Sequence, residues 1–382
     1  MARKKIQKNI SYDEERRLYY VTLNFGKDAS GKYIKKYKTA TRLPDARKIL
    51  KKHEADKTND QLVMPTKITF HDYSEQFLKR KERNRAATTI YGYKTALQKH
   101  VYPDLGQLSI QSISVSRLNL FFDGLFEKKE LGANSIRKIY DLLKSIFKSA
   151  VADEVISKNP IEKIEPIKKQ KPEHNYYTID QFRKLLEIIA GDRMEIVVLL
   201  AGILGLRREE IAGLQWTNVD FVLRTIKIVQ SRIIVGKNEI IKDTKSESSY
   251  RILKMPDYLS ELLVTIKENQ NRNRELLGDS AKGDFSYVVS WEDGTPYRPN
   301  YLSDLFKKII DDNDLPHIRL HDLRHTFASI ANDLGVSIYD ISKALGHAET
   351  RITDKVYTHM FDSTHARAID AIASAVVDIE KK

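Results

Sequence analysis

Residues 320–347 read LHDLRHTFASIANDLGVSIYDISKALGH, and this stretch decides the fold of the C-terminal half of the chain. Its apolar residues recur at intervals of three and four, which predicts helices over residues 320–334 and 337–345. Gly335 and Gly346 follow these segments, at the position where glycine commonly ends a helix. The pattern therefore predicts two consecutive helices joined by a short turn, within a larger and mostly helical domain.

Five side chains capable of chemistry lie along this stretch and just beyond it. His321 and Arg324 are three residues apart, so they share one face of the first predicted helix. His347 falls on the turn after the second helix, and Tyr357 lies ten residues further on, in a predicted last helix. His325 is also close to His321, and their spacing is compatible with a metal site, but the glutamate of an HExxH motif is missing.

Two further cations lie upstream. The run GLRREEIAGLQW at residues 205–216 ends one helix at its first glycine and begins another around Arg207, where free backbone N–H groups add to the positive field. The segment 225–256 predicts a hairpin with a turn at Gly236-Lys-Asn238, and Lys245 falls on a turn within this segment, with Lys242 as the competing candidate. An arginine fork can bind two phosphate oxygens at once, and a lysine at a loop tip can protonate a leaving oxygen.

The combined set of side chains favours one chemistry. A neutral phenol has a pKa of about 10, so a nucleophilic Tyr357 needs cations or a base nearby, which Arg207, Arg324 and a histidine would supply. Such a set suits attack of a tyrosine on a phosphodiester, with the arginines holding the oxygens on which charge develops. Taken one at a time, the same residues fit a surface arginine, a solvated lysine and a packing tyrosine.

The charge of the chain indicates a polyanionic partner. The formal net charge is +13 over 382 residues, with a pI of about 9.4. Basic residues outnumber acidic ones by 17 to 8 in residues 1–66 and by 20 to 13 in residues 67–175, whereas the ratio is 28 to 31 in residues 176–382. The basic half is therefore predicted to bind nucleic acid, although a basic surface can also contribute to solubility without binding anything. The absence of cysteine excludes disulfides and fits a reducing cytoplasm.

The N-terminal half divides into two predicted domains. Residues 1–62 contain two predicted strands, at 17–25 and 32–41, and a helix that begins at Pro44. We expect this unit to bind DNA, although a small accessory domain with a solvated basic face has the same pattern. Helical periodicity then marks residues 69–155 in four segments, at 69–82, 87–101, 114–130 and 133–155. A basic cluster between the first two segments could clamp a phosphate or simply be solvated: Arg80, Lys81, Arg83 and Arg85.

The remaining boundaries follow from prolines and caps. Residues 156–175 contain three prolines and are predicted to form an extended linker. Thr178 and Gln181 form a predicted capping box at the start of a catalytic domain over residues 176–362. Residues 363–382 form a predicted final helix with a narrow apolar stripe. The predicted fold class is mainly α with small β elements, in three domains.

These motifs together resemble the tyrosine recombinase (lambda-type integrase) family. The matching elements are Gly-Leu-Arg207 with Glu210, Lys245-Ser-x-Ser, His321-x-x-Arg324, Leu-Gly-His347 and Tyr357-Thr-His359, in that order. Leu204 and Ser246 stand where the family often has threonine, and neither change removes a catalytic group. Residues 69–155 look like the family's SAM-like core-binding domain, and residues 1–62 look like the arm-binding domain of phage and conjugative-transposon integrases.

The resemblance implies a mechanism. Tyr357 would attack the scissile phosphate and form a 3′-phosphotyrosyl link, while the two arginines hold the phosphoryl oxygens. Lys245 would protonate the leaving 5′ oxygen, His321 would assist proton transfer at the tyrosine, and His347 would support the phosphate. Because the covalent link keeps the bond energy, neither ATP nor a metal cofactor would be needed.

The resemblance also implies partners. These are double-stranded DNA with core and arm sites, a homotetramer on that DNA, an excisionase and a DNA-bending protein. Residues 363–382 would dock on a neighbouring subunit, or could instead pack on their own domain. A type IB topoisomerase shares the phosphotyrosine chemistry, but the extra basic N-terminal domain favours the integrase. A DNA-binding regulator with a vestigial site is a third possibility, against which the intact catalytic set argues.

Overall fold

The computed structural model describes residues 3–27, 31–58, 63–168, 175–243 and 250–346. The chain divides into two compact units, residues 1–171 and 172–382. Each unit contains its own buried apolar core. Across the described ranges, no helix combines the length and the apolar character needed to cross a membrane.

A small antiparallel sheet backed by one helix opens the first unit. Its strands are Lys4–Gln7 (β1), Ile10–Asp13 (β2), Leu18–Lys27 (β3) and Tyr33–Ala40 (β4), which pair in chain order. The helix α1, Leu43–Thr58, packs on β3 and β4 through Ala46 and Leu50. The structure thus contains the two predicted strands and the predicted helix. The sequence does not predict β1 and β2, because a four-residue strand carries too little alternation to stand out.

Four helices occupy the segments in which periodicity predicts them. They are Phe70–Glu82 (α2), Ala87–Ala96 (α3), Val115–Glu127 (α4) and Ala133–Ala152 (α5). The side chains of Thr69 and Ser114 cap α2 and α4 by accepting backbone N–H bonds. The second predicted helix differs in its latter part, since α3 continues as a wider π-helical segment, Leu97–Gly106, that contains Pro103. Proline has no N–H to donate, which disfavours a regular α-helix at this point.

Residues 156–168 differ from the extended linker that the sequence predicts. Pro160–Lys163 form a short 3-10 helix, and the Asn159 side chain caps it by accepting the backbone N–H of Ile161. Ile156 and Ile161 are buried in the core of the helices. Burial of these apolar side chains holds the segment against the helices. The prolines alone indicate an extended linker, because a proline pattern does not show which apolar residues will be buried. The six residues that follow lie outside the described part of the chain.

The second unit is mainly helical and contains two small sheets. Its helices are Ile179–Ile188 (α6), Glu195–Gly202 (α7), Arg208–Ala212 (α8), Asp257–Leu277 (α9), Pro299–Asp312 (α10), Asp322–Asp333 (α11) and Ile338–Leu345 (α12). Its strands are Val219–Asp220 (β5), Thr225–Ile228 (β6), Gln230–Val235 (β7), Asn238–Asp243 (β8) and Arg251–Lys254 (β9). Strands β5, β6 and β9 form one antiparallel sheet, and β7 and β8 form a hairpin.

Local signals in this unit match the structure, whereas the pairing of β6 with β9 is not predicted. The capping box of Thr178 and Gln181 is present, and Gly346 ends α12 in the left-handed conformation. Within the region 225–256, β7 and β8 form the predicted hairpin about the turn at Gly236, and the flanking strands β6 and β9 pair with each other in a separate sheet, which the sequence does not predict. The fold class, mainly α with small β elements, is confirmed. The final helix predicted over residues 363–382 lies outside the described residues.

Candidate active site

Arg207 lies at the N-terminal end of α8, as the sequence predicts. Its backbone N–H donates to Glu210 Oε2 at 2.9 Å, and its guanidinium Nη1 donates to Glu210 Oε1 at 2.8 Å. One carboxylate therefore fixes both the start of the helix and the direction of the arginine. The Arg207 side chain keeps 32% of its surface exposed, whereas that of Glu210 is buried.

Glu210 is buried and has a second arginine partner. Arg251, the first residue of β9, donates to this carboxylate through Nη1 at 3.2 Å and Nη2 at 2.8 Å. Burial by itself raises the pKa of Glu210, but the hydrogen bonds and charge of Arg251, together with Arg207, lower that pKa to about 2. The carboxylate is therefore ionised at neutral pH, and the three side chains together carry one net positive charge.

Arg324 lies in α11 and is almost fully buried. Its Nη1 donates to the backbone carbonyl of Gly205 at 2.6 Å, and its Nη2 donates to the carbonyl of Leu345 at 2.6 Å. Gly205 stands two residues before Arg207, and Leu345 stands two residues before His347 in the sequence. Arg324 thus ties the turn that leads to Arg207 to the end of α12.

His321 immediately precedes α11, on the same helical face as Arg324. Crowding by protein atoms is the main cause that lowers the pKa of its imidazole, and the charges of Arg324 and, more weakly, Arg207 act in the same direction, against Glu209 and Asp322. The imidazole is therefore neutral near pH 7, the form that can accept a proton. The charges of both arginines act on this ring, and Arg324 binds the carbonyl of Gly205, two residues before Arg207.

A recess of about 650 Å³ adjoins this site. Side chains of both charges line it together with His321: the cations are Arg208, Lys307 and Arg319, and the carboxylates are Glu209 and Asp304. The ring of His325 stands perpendicular to that of His321, with centroids 5.5 Å apart. Within the described ranges, no cluster of three or more potential ligands surrounds these histidines or any other position.

Three residues of the basic cluster in the first unit line a recess of about 550 Å³ at the end of α2. Arg80 is paired there with Asp153 at 2.7 Å and donates to the Tyr73 hydroxyl at 3.2 Å. Lys81 and Arg85 line the same recess. Arg80 therefore has a structural partner, and Arg83, the fourth member of the basic cluster, does not line this recess.

Three of the predicted catalytic residues, Lys245, His347 and Tyr357, lie outside the described residues. The sequence prediction also missed one residue of the site, Arg251. A signal was present: Arg251 is in phase with Leu253 along the strand, and Leu253 packs against the core, whereas Ile252 between them is exposed. An arginine on the inward face of a strand indicates a buried acidic partner, but the strand does not say which one.

Comparison with known proteins leads to one family. A family model described as the phage integrase family matches residues 175–364, and one described as the phage integrase SAM-like domain matches residues 69–169. A protein of Caldanaerobacter subterraneus subsp. tengcongensis, named tyrosine recombinase XerC-like, is 27% identical over 393 aligned positions, covering 96% of this chain and 98% of the relative.

Two solved structures share the fold. The Tn1549 transposon integrase in complex with circular intermediate DNA has a TM-score of 0.64 and 22% identity, covering 78% of this chain and 98% of that one. A lambda integrase tetramer bound to a Holliday junction has a TM-score of 0.58 and 15% identity, covering 93% of this chain and 96% of that one. With both family matches in chain order, the chain belongs to the phage integrase family of tyrosine recombinases.

Proposed function

We propose that this chain is the integrase of a mobile element, a site-specific recombinase that integrates and excises the element's DNA. The Tyr357 hydroxyl attacks a scissile phosphate in double-stranded DNA. A 3′-phosphotyrosyl bond forms as the bond between phosphorus and the 5′ oxygen breaks. The 5′-hydroxyl of the partner strand then attacks this link and releases the tyrosine, so two rounds of exchange pass through a Holliday junction. The observation that supports this proposal is that Arg324 binds the turn that leads to Arg207, while the charges of both arginines act on His321.

The charges of the site suit the electrostatic demand of this reaction. As the tyrosine attacks, negative charge grows on the non-bridging oxygens of the phosphate. Arg207, whose side chain is partly exposed, donates to those oxygens while Glu210 holds its Nη1. Arg324 adds a second positive charge beside the same turn, in a position where little water screens it.

Proton transfer completes the assignment of roles. Neutral His321 accepts the proton that the Tyr357 hydroxyl loses, and Lys245 gives a proton to the leaving 5′ oxygen. His347, two residues beyond the Leu345 carbonyl that Arg324 binds, supports the phosphate. Each step breaks one phosphoester bond and forms another, so the exchange needs no ATP. The positive charges that stabilise the phosphate oxygens come from the two arginines.

Double-stranded DNA is the partner that the charge and the relatives support. The basic excess lies in residues 1–175, and the solved relatives are complexes with DNA. We assign residues 69–155 to the core site, with Lys81 and Arg85 as phosphate contacts, and residues 176–362 to catalysis. Each phosphate contact should make binding weaken as salt rises.

The N-terminal sheet is assigned to the arm sites. Val21 and Leu23 of β3 are buried beneath α1, so the alternate residues of that strand lie on the opposite face. On this opposite face, the alternate residues of β3 pair with Lys35 and Tyr37 of β4, and both of these β4 side chains are exposed. A face of this kind combines cations and an aromatic ring, which suits contact with a DNA groove.

Assembly is proposed from the same comparisons. The lambda integrase neighbour is a tetramer bound to a Holliday junction, which supports a homotetramer on DNA for this chain. Residues 363–382 would exchange between neighbouring subunits. An excisionase and a DNA-bending protein would set the direction of the reaction.

The test is formation of a covalent protein–DNA complex on nicked suicide duplexes that span the junctions of the element encoding this chain. Wild type should give the complex in buffer with EDTA and without ATP, and Tyr357→Phe should give none while still shifting the duplex in a gel. Tyr339→Phe, an exposed tyrosine of α12, is the matched control and should retain the complex. Tight binding without a complex in wild type would favour a regulator, and relaxation of supercoiled DNA without strand exchange would favour a topoisomerase.

A further inference from the structure

A buried carboxylate joins two elements of the second unit that are far apart in sequence. Glu210 of α8 accepts hydrogen bonds from Arg207 beside it and from Arg251 of β9, 41 residues further along the chain. The Arg251 side chain is only 7% exposed, and that of Glu210 only 4%. Arg207 is therefore the arginine of this group that a DNA phosphate can reach, and Arg251 stays in the interior.

The charge balance of this group depends on Arg251. Arg207 and Glu210 alone would form a neutral pair, and an incoming phosphate would meet little net attraction from it. Arg251 offsets the carboxylate, so the group keeps one positive charge on the side that faces the ligand. Its two hydrogen bonds also hold the carboxylate in place, which fixes the orientation of the Arg207 guanidinium.

We propose that Arg251 is a positioning residue for DNA cleavage, which acts through Glu210 to orient Arg207 and to preserve its charge toward the scissile phosphate. This inference rests on the proposed function, because it requires Arg207 to contact the phosphate. It also gives β9 a role in the site. The strand begins with Arg251, six residues after Lys245 in the sequence, and the ion pair of Arg251 with Glu210 joins this strand to α8.

Arg232 provides a matched control within the same unit. It is also a buried arginine on a strand, it pairs with Glu239, and it donates to the Tyr297 carbonyl at 2.7 Å. Arg232→Met should therefore share the structural cost of removing a buried guanidinium, whose hydrogen bonds go to Glu239 and Tyr297 rather than to Glu210. A comparison of Arg251→Met with Arg232→Met separates loss of positioning from loss of stability.

The experiment measures the single-turnover rate of covalent complex formation by the full-length protein, normalised to the folded fraction. The substrates are a nicked suicide duplex and the same duplex with a methylphosphonate at the scissile position, which removes the charge that Arg207 would meet. Arg251→Met should cleave the phosphate duplex about 10- to 100-fold more slowly than Arg232→Met, with DNA affinity nearly unchanged. On the methylphosphonate the two variants should differ by less than about threefold, because no phosphate charge remains to be stabilised.

Each outcome has a definite meaning. Equal rates for Arg251→Met and Arg232→Met on the phosphate duplex, or equal deficits on both duplexes, would overturn the positioning role. If Arg251→Met does not fold, Arg251→Lys replaces it: a lysine keeps the charge but not the paired hydrogen bonds, so we expect a partial loss on the phosphate duplex, and a wild-type rate would overturn the inference. Absence of a covalent complex in wild type would count against the proposed function itself.

Discussion

Replacing Glu210 with glutamine should destabilise the second unit by about 3 kcal/mol at pH 7. The substitution keeps the shape of the side chain and removes the charge that Arg207 and Arg251 share. The pKa of Glu210 is about 2 in the folded protein against an ordinary 4.5, and each pKa unit corresponds to about 1.4 kcal/mol. The resulting stability change agrees with the loss of about 3–5 kcal/mol expected when a buried ion pair loses one partner.

The effect should depend on pH in one direction. Because folding lowers the pKa of Glu210, the carboxylate stabilises the protein fully at pH values above 4.5, and this contribution is lost as the pH falls toward 2. The unfolding free energy of wild type should therefore exceed that of Glu210→Gln by only about 2 kcal/mol at pH 3.5. Glutamine does not titrate, so the difference between the two proteins isolates this one carboxylate.

Urea unfolding of the full-length protein, followed by tryptophan fluorescence, measures this difference. The chain has two tryptophans, Trp216 and Trp291, and both lie in the second unit, so the signal reports that unit alone. Asp257→Asn is the matched control. Its ion pair with Arg224 is exposed on both sides, and its loss should cost less than about 1 kcal/mol.

Two results would refute this reasoning. A loss below about 1 kcal/mol for Glu210→Gln at pH 7 would mean that water screens the pair as it does at the surface. If the difference in unfolding free energy between wild type and Glu210→Gln stays constant from pH 7 to pH 3.5, the charge of Glu210 is not its cause.

Three further predictions concern the turn, the histidine and the N-terminal sheet. Gly205→Ala should lower the unfolding free energy by about 2 kcal/mol in the same assay and should slow cleavage, because φ is +66° and a Cβ would lie 2.8 Å from Leu345 Cδ2. The control is Gly191→Ala, at φ +75° in open space, which measures the cost of the backbone conformation without the steric contact. Cleavage should require neutral His321, so its rate should fall as the pH drops through a value below 6.5, and an acid limb centred above 6.5 would contradict that role. Lys35→Glu combined with Tyr37→Ala should weaken binding to duplexes that carry distal sites, and a loss of cleavage on a short core duplex would contradict the arm-binding assignment.

Local structure in this chain follows from local signals. The capping box at Thr178, the glycine that ends α12 and the apolar stripe of α5 each depend on residues within one or two helical turns, and the structure contains all three. Predictions that depend on distant contacts are less successful. Residues 156–168 pack on the helices because Ile156 and Ile161 find an apolar surface there, and β6 pairs with β9 across an intervening hairpin.

The sequence by itself determined the family and the candidate catalytic residues, because both follow from the order and spacing of residues such as Arg207, His321 and Arg324 along the chain. Only the tertiary structure decided how these residues are held. Arg324 binds the carbonyl of Gly205, 119 residues away in sequence, and Arg251 shares the carboxylate of Glu210 with Arg207. A buried charge requires a partner, since the interior screens charge poorly, but only folding brings a particular distant partner within hydrogen-bonding distance.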